Sequence, residues 1–164
     1  MNTFTQIHVA ISLAGILSGF VVTFGLITGR RLDRWTAFFL LTTVATSVTG
    51  FLFPFHGFTP AIVVGIISLV VLVAAIFARY ARRLAGAWRL IYVITAMIAL
   101  YLNVFVLIVQ LFQKVPALKA LAPTQSEPPF VVTQLIVLTL FLVLAIIASR
   151  RFRIMPVTTA TAAG

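Results

Sequence analysis

Residues 60–113 read PAIVVGIISLVVLVAAIFARYARRLAGAWRLIYVITAMIALYLNVFVLIVQLFQ. Two apolar runs flank a connector that carries Arg79, Arg82, Arg83 and Arg89. Each run is close to the roughly 20 residues that cross about 30 Å of hydrocarbon at about 1.5 Å per residue. The same arrangement repeats outward from this stretch. Arg30, Arg31 and Arg34 separate two earlier apolar runs, and Arg150, Arg151 and Arg153 follow the last one. No arginine occurs elsewhere in the chain. The predicted fold class is therefore all-α, a polytopic membrane protein built as a bundle of five transmembrane helices. The expected spans are about 5–28, 35–55, 60–78, 88–113 and 129–149. Residues 1–153 form one helical domain in this reading, and 154–164, a run of Thr and Ala, a disordered cytoplasmic tail.

Composition narrows the function classes. Of 164 residues, 62% are hydrophobic and 9% charged, which leaves too little polar surface to clothe a soluble domain of this length. The formal charge of +10 sits at the ends of apolar runs, where the positive-inside rule places it, so nucleic acid is not expected as a partner. There is no cysteine, which removes disulfides, thiolate metal sites, iron–sulfur clusters and covalently attached haem. Met1 to Gln6 lacks a basic region and no small-residue cleavage site follows, so the first apolar segment is expected to be retained.

Local residues explain the boundaries. Gly29 closes the first run, Pro54 and Gly57 interrupt the second, and Thr59-Pro60 is a cap followed by proline at the first helical position. The short link between runs two and three implies an antiparallel hairpin in direct contact; a single re-entrant hairpin is the alternative. Pro128-Pro129 opens the last helix, and Ala117 to Ala122 suits a short interfacial helix with Leu118 and Leu121 toward lipid. Trp35, Tyr80, Trp88 and Tyr92 lie near the arginine-bearing ends, as an interfacial aromatic belt does. With five passes, all ten arginines share one side with Asp33, while Lys114, Lys119 and Glu127 lie on the other. The expected orientation is N-terminus outside and C-terminus cytoplasmic, with the arginines holding topology and meeting anionic headgroups.

Helices in lipid associate through small residues and interhelical hydrogen bonds. On the fourth run, Tyr92, Ala96, Ala99, Asn103, Val106, Gln110 and Gln113 recur at spacings of four and three, forming one seam. The first run offers His8, Ser12, Gly15 and Gly19, the third Ala61, Gly65, Ser68 and Ala75, and the fifth Gln134, Leu138, Phe141, Ala145 and Ala148. The second is rich in hydroxyls (Thr42, Thr43, Thr46, Ser47, Thr49) that bond readily to their own preceding carbonyls.

By depth, His8, His56, Gln110, Gln113 and Gln134 fall in the outer third of the bundle and Asn103 near its midplane, beneath the long 114–128 connector. These six are the candidate ligand-binding residues. His8 and His56 are of the type that ligates a metal or haem b. The glutamines and His8, with Phe51, Phe53, Phe55 and Phe58, suit a quinone or similar amphiphile. Asn103 suits passage of a small neutral solute, although no Asp or Glu lies within a span to couple an ion. The plainer reading makes the same residues interhelical glue in a structural or accessory membrane subunit, acting as a homo-oligomer or in a larger membrane complex, without cofactor or catalytic residues.

The stretch from Tyr101 to Pro129, YLNVFVLIVQLFQKVPALKALAPTQSEPP, resembles small multi-pass inner-membrane proteins found in many bacterial genomes. The resemblance implies a bacterial cytoplasmic membrane and brings no activity, cofactor or site residue with it. Small multidrug carriers are set apart by their intramembrane glutamate, which is missing here.

Overall fold

The computed structural model describes residues 3–53 and 60–153. His56, with Pro54, Phe55, Gly57, Phe58 and Thr59, lies outside the described residues, as do the side chain of Ala61 and the tail 154–164. The described residues are all-helical: α1 Thr3–Ile27, α2 Asp33–Gly50, α3 Pro60–Ile76, α4 Trp88–Lys114, α5 Pro116–Leu121 and α6 Pro128–Arg151. A π-helical turn, Phe77–Ala81, continues α3.

Four of these helices are long and apolar enough to cross a membrane: Thr3–Ile27, Ile62–Ala81, Trp88–Lys114 and Pro128–Arg151. The expected count of five is corrected to four on that basis, and α2 is the exception. It stops at Gly50, short of the expected end at 55, and at 18 residues it is about 27 Å long. Asp33 and Arg34 lie inside its first turn, and its hydroxyls lower its apolarity further. It is nevertheless a full-length member of the bundle. Its first residue, Asp33, pairs with Arg79 at the end of α3, and Phe51, just beyond its last, packs on Gly65 near the start of α3. The two helices thus run antiparallel from end to end.

The packing order follows from the contacts. The helices close a ring α1–α2–α3–α4–α6, with α1 and α4 also touching across its centre. Glycine permits the closest approach: a Cβ on Gly19 would stand 2.5 Å from Leu100 Cδ1 of α4 and 2.9 Å from the Phe39 ring of α2. The core gathers Val22, Leu26, Phe39, Leu40, Leu72, Tyr92, Met97, Leu100 and Phe141. Outward faces are apolar; Leu17, Leu41 and Val73 are each 68% exposed. A second cluster of Ile108, Phe112 and Ala122, joined by Leu118 and Phe130, fastens α5, which lies within the long connector, to α4 and α6. Leu118 therefore turns into the protein, while Leu121 faces outward as expected.

The helix ends have physical causes. Gly29, at φ 72°, ends α1 in a left-handed turn: Arg30 N–H donates to Gly25 O at 2.8 Å and Gly29 N–H to Leu26 O at 3.4 Å. The connector after the π turn passes through positive φ at Arg83 and Leu84, which disfavours non-glycine residues by about 1–2 kcal/mol each. Burial of the Leu84 side chain in the core offsets this.

Candidate functional site

Small and hydroxylated residues bring α1, α2 and α4 together, and the polar groups there act in pairs. Asn103 Nδ2 donates to Thr43 Oγ1 of α2 at 3.3 Å, and Thr43 is fully buried. His8 Nδ1 lies 2.8 Å from Thr49 Oγ1, also on α2. Thr49 gives its single hydroxyl proton to Ala45 O at 2.7 Å, so we assign the proton of this contact to His8 Nδ1. That leaves Nε2 with the free lone pair. The ring of His8 meets Phe53 edge-on at 5.0 Å, and Phe53 in turn packs on Phe4 at 4.9 Å. On the other side of α4, Gln134 Nε2 of α6 donates to Phe105 O at 3.3 Å, while its buried Oε1 has no partner among the described residues.

The predicted outer cluster therefore separates. Shared depth does not mean shared azimuth: His8 belongs to the α1–α2 contact and Gln134 to the α4–α6 contact. Gln113 is exposed and bonds Gln125 of the connector at 3.3 Å, and Gln125 reaches back to Val109 O at 2.9 Å. Gln110 is half-buried and bonds to none of the described residues. Phe51 and Phe53 pack on Gly65 and on Phe4 with His8, respectively. Among the described residues, His, Asp and Glu nowhere form a group of three able to hold a metal ion. Of the five α2 hydroxyls expected to bond their own preceding carbonyls, Thr42 (to Phe38 O, 2.8 Å) and Thr49 (to Ala45 O, 2.7 Å) do so, while Thr43 accepts from Asn103 and the buried Thr46 Oγ1 has no partner among the described residues.

The arginine end carries most of the remaining chemistry. Arg30, Arg31, Arg34, Arg82, Arg83, Arg150, Arg151 and Arg153 are exposed, which suits contact with headgroups. Arg79 is different. It is buried, hydrogen-bonded to Asp33, with its guanidinium 5.3 Å from the Tyr92 ring and 5.7 Å from that of Tyr80. The Tyr92 hydroxyl falls near Thr36 and Arg79 without closing a hydrogen bond. Arg79 thus ties α2, α3 and α4 together and is not presented to lipid, a correction to its expected role. Arg89, half-buried, donates to Ser149 O at 3.1 Å and to Phe152 O, covering carbonyls at the C-terminal end of α6.

A signal for Arg79 was present in the chain. The α3 face that carries Ser68 and Ala75 continues through Arg79 four residues on, and Asp33 is the sole acid placed at that end. Two clefts open there: one of about 570 Å³ lined by Leu84, Gly86, Arg89, Ser149, Arg150 and Arg153, and one of about 390 Å³ between Arg31, Asp33, Arg34, Ala37, Arg79 and Tyr80.

Compared with protein families, curated proteins and solved structures, the chain matches none.

Proposed function

We propose that the chain is a multi-pass protein of a bacterial cytoplasmic membrane, acting as a structural or interaction subunit and not as an enzyme. One observation carries the reading. Three polar side chains inside the bundle join helix to helix: Asn103 to Thr43, His8 to Thr49 and Gln134 to the α4 backbone. Each is engaged in holding the bundle, as expected of polar residues in a membrane helix bundle. The orientation we propose is N-terminus outside, because every arginine lies at the opposite end of the bundle from His8 and the long connector. The exposed arginines on the cytoplasmic side then meet anionic headgroups, each contributing about 1 kcal/mol near such a surface.

Two experiments test this. Reporter fusions at the C-terminus and within 115–127 are expected to report cytoplasm and exterior respectively; the reverse overturns the orientation. Cross-linking and affinity capture from native membranes are expected to recover the chain with itself or with other membrane proteins. Recovery only as a monomer overturns the subunit reading.

A second reading has one observation in its favour. With Nδ1 fixed by Thr49, His8 offers an oriented Nε2 lone pair near the outer end, which suits ligation of haem b or a metal, or acceptance of a hydrogen bond from a quinol. An absorption spectrum, metal analysis and lipid extraction of the purified protein decide it: a Soret band, bound metal or retained quinone that His8→Ala removes supports the site. A third reading, uncoupled passage of a small neutral solute, requires liposome flux that Asn103→Leu changes without unfolding the bundle.

A further inference from the structure

The arginine-lined cleft between the α3–α4 connector and the end of α6 has a chemistry that general headgroup attraction does not describe. Three arginines, Arg89, Arg150 and Arg153, line it, with no acidic residue among its described lining. Asp33, the lone acid at this end, pairs with Arg79 and Arg31 and lines the other cleft. Three cationic residues around a shared volume of about 570 Å³ repel one another, and an anion entering it offsets that repulsion.

The donors are available. Arg89 uses Nη1 for Ser149 O and Phe152 O, leaving its other nitrogens. Arg153 uses only Nε, toward Arg150 O at 3.4 Å, which frees its two terminal nitrogens. Arg150 is exposed and its guanidinium bonds to none of the described residues.

One local term opposes an anion here. The cleft lies at the C-terminal end of α6, where free carbonyls carry partial negative charge. The same arginines cover three of those carbonyls, those of Ser149, Phe152 and Arg150, so the positive field of the side chains dominates. The connector wall is fixed by burial of Leu84, and Gly86, at φ 54°, passes the cleft without a side chain, with open space where a Cβ would stand. Planar guanidinium forks match the oxygens of a phosphate better than they match chloride.

We infer that this cleft is a binding site for a phosphoryl group, supplied by the headgroup of an anionic phospholipid or by a soluble phosphate. The inference rests on the membrane reading above and narrows it from a diffuse cationic surface to two exposed residues that can be changed. Trp88 and Tyr80 near the same end lie where interfacial aromatics mark the headgroup level, which favours the lipid as source.

The test uses the full chain in nanodiscs of phosphatidylcholine with a minor fraction of phosphatidylglycerol, with retained lipid counted by native mass spectrometry. Arg150→Gln with Arg153→Gln is expected to lower phosphatidylglycerol retention roughly tenfold or more, as the loss of charge-assisted hydrogen bonds implies. Arg34→Gln, an exposed arginine outside this cleft, is expected to leave it within about twofold. Equal losses in both variants overturn the site, as does a wild-type preference for phosphatidylglycerol that neither variant loses. Millimolar inorganic phosphate is the second arm. Phosphate that binds wild type and not the double variant, with no preference for phosphatidylglycerol, supports the phosphoryl site with a soluble source. Absence of both phosphate binding and lipid preference overturns it. Failure of the membrane reading is distinct and precedes these arms, because the wild-type chain then behaves as a water-soluble protein without detergent.

Discussion

Replacing Asp33 with Asn is expected to destabilise the bundle more than replacing its partner Arg79 with Met. The asymmetry comes from where the two charges sit: the Arg79 side chain is 4% exposed and that of Asp33 65%. Neutralising Asp33 leaves a cation in the interior without a counterion, and breaking a buried pair in this way costs about 3–5 kcal/mol. Two effects reduce that figure. The Asp33 carboxylate is largely solvated, so its attraction is screened, and the rings of Tyr92 and Tyr80 continue to hold the cation with about 0.5–2 kcal/mol. The net cost is about 1–3 kcal/mol. Arg79→Met instead removes the buried charge, fills the space with an apolar chain and leaves Asp33 to water and Arg31, for a cost below about 1 kcal/mol. Far-UV circular dichroism of thermal unfolding in a single detergent measures the difference. A loss of about 2 kcal/mol lowers the midpoint by about 4–8 °C for a chain of this size. The double variant is expected to recover most of the loss seen in Asp33→Asn. The reasoning is refuted if Arg79→Met is the more damaging substitution, or if Asp33→Asn matches wild type.

The remaining predictions use the same kind of measurement. Gly19→Ala is expected to cost about 1–3 kcal/mol by overpacking against Leu100 and the buried Phe39 ring. Gly15→Ala, whose Cβ would meet Thr42 Oγ1 at 3.3 Å, is expected to cost less, and equal losses contradict the packing order. Asn103→Leu and Thr43→Val are each expected to cost about 0.6 kcal/mol, with about 1.7 as an upper bound, and to be non-additive in a double-mutant cycle. In the long connector, desolvation is the largest single influence on the Glu127 carboxyl and acts upward. The Thr124 and Ser126 N–H groups, its own N–H and the Thr124 hydroxyl outweigh it, so the carboxyl is held below its usual range. Because the folded value is depressed, this support is complete above about pH 4.5, the ordinary glutamate value, and is lost as pH falls through the folded value. Protection of the Thr124 and Ser126 amides, measured as exchange relative to the intrinsic rate at each pH, should therefore fall on acidification in wild type and be insensitive to it in Glu127→Gln.

How much of this was legible in the chain depends on how local the cause is. The ends of α1, α3, α5 and α6 follow from Gly29, Pro60, Pro116 and Pro128, residues that act on their own backbone. The α4 seam was legible from spacing: Tyr92, Ala96 and Ala99 are buried, Asn103 and Gln110 half-buried, and Gln113 exposed as the seam emerges from the bundle. Pairings between distant residues were not legible. Asp33 and Arg79 are 46 positions apart, and nothing in ten similar arginines marks Arg79 except its register with the small residues of α3. The outer His and Gln residues share a level along the bundle axis, but pattern alone does not fix the rotation of one helix against another. His8 and Gln134 consequently went to different neighbours.

The hydroxyl-rich α2 shows how a helix outside the four of membrane-spanning length and apolarity still packs into the bundle. A threonine in an apolar environment that donates to a carbonyl four residues back leaves no proton unsatisfied, and its oxygen keeps lone pairs for another helix. Thr49 illustrates the arrangement: it donates to Ala45 O and accepts from His8 of α1. Thr43 accepts from Asn103 of α4 in the same direction across the interface. Two hydroxyls on the inward face of α2 thus accept donors from α1 and α4, while Phe38, Leu41 and Val48 cover its outer face. An average over the helix counts every hydroxyl as a cost of leaving water. The cost falls only on hydroxyls that stay unpartnered, and the buried Thr46 Oγ1 is the one on this helix that finds no partner among the described residues.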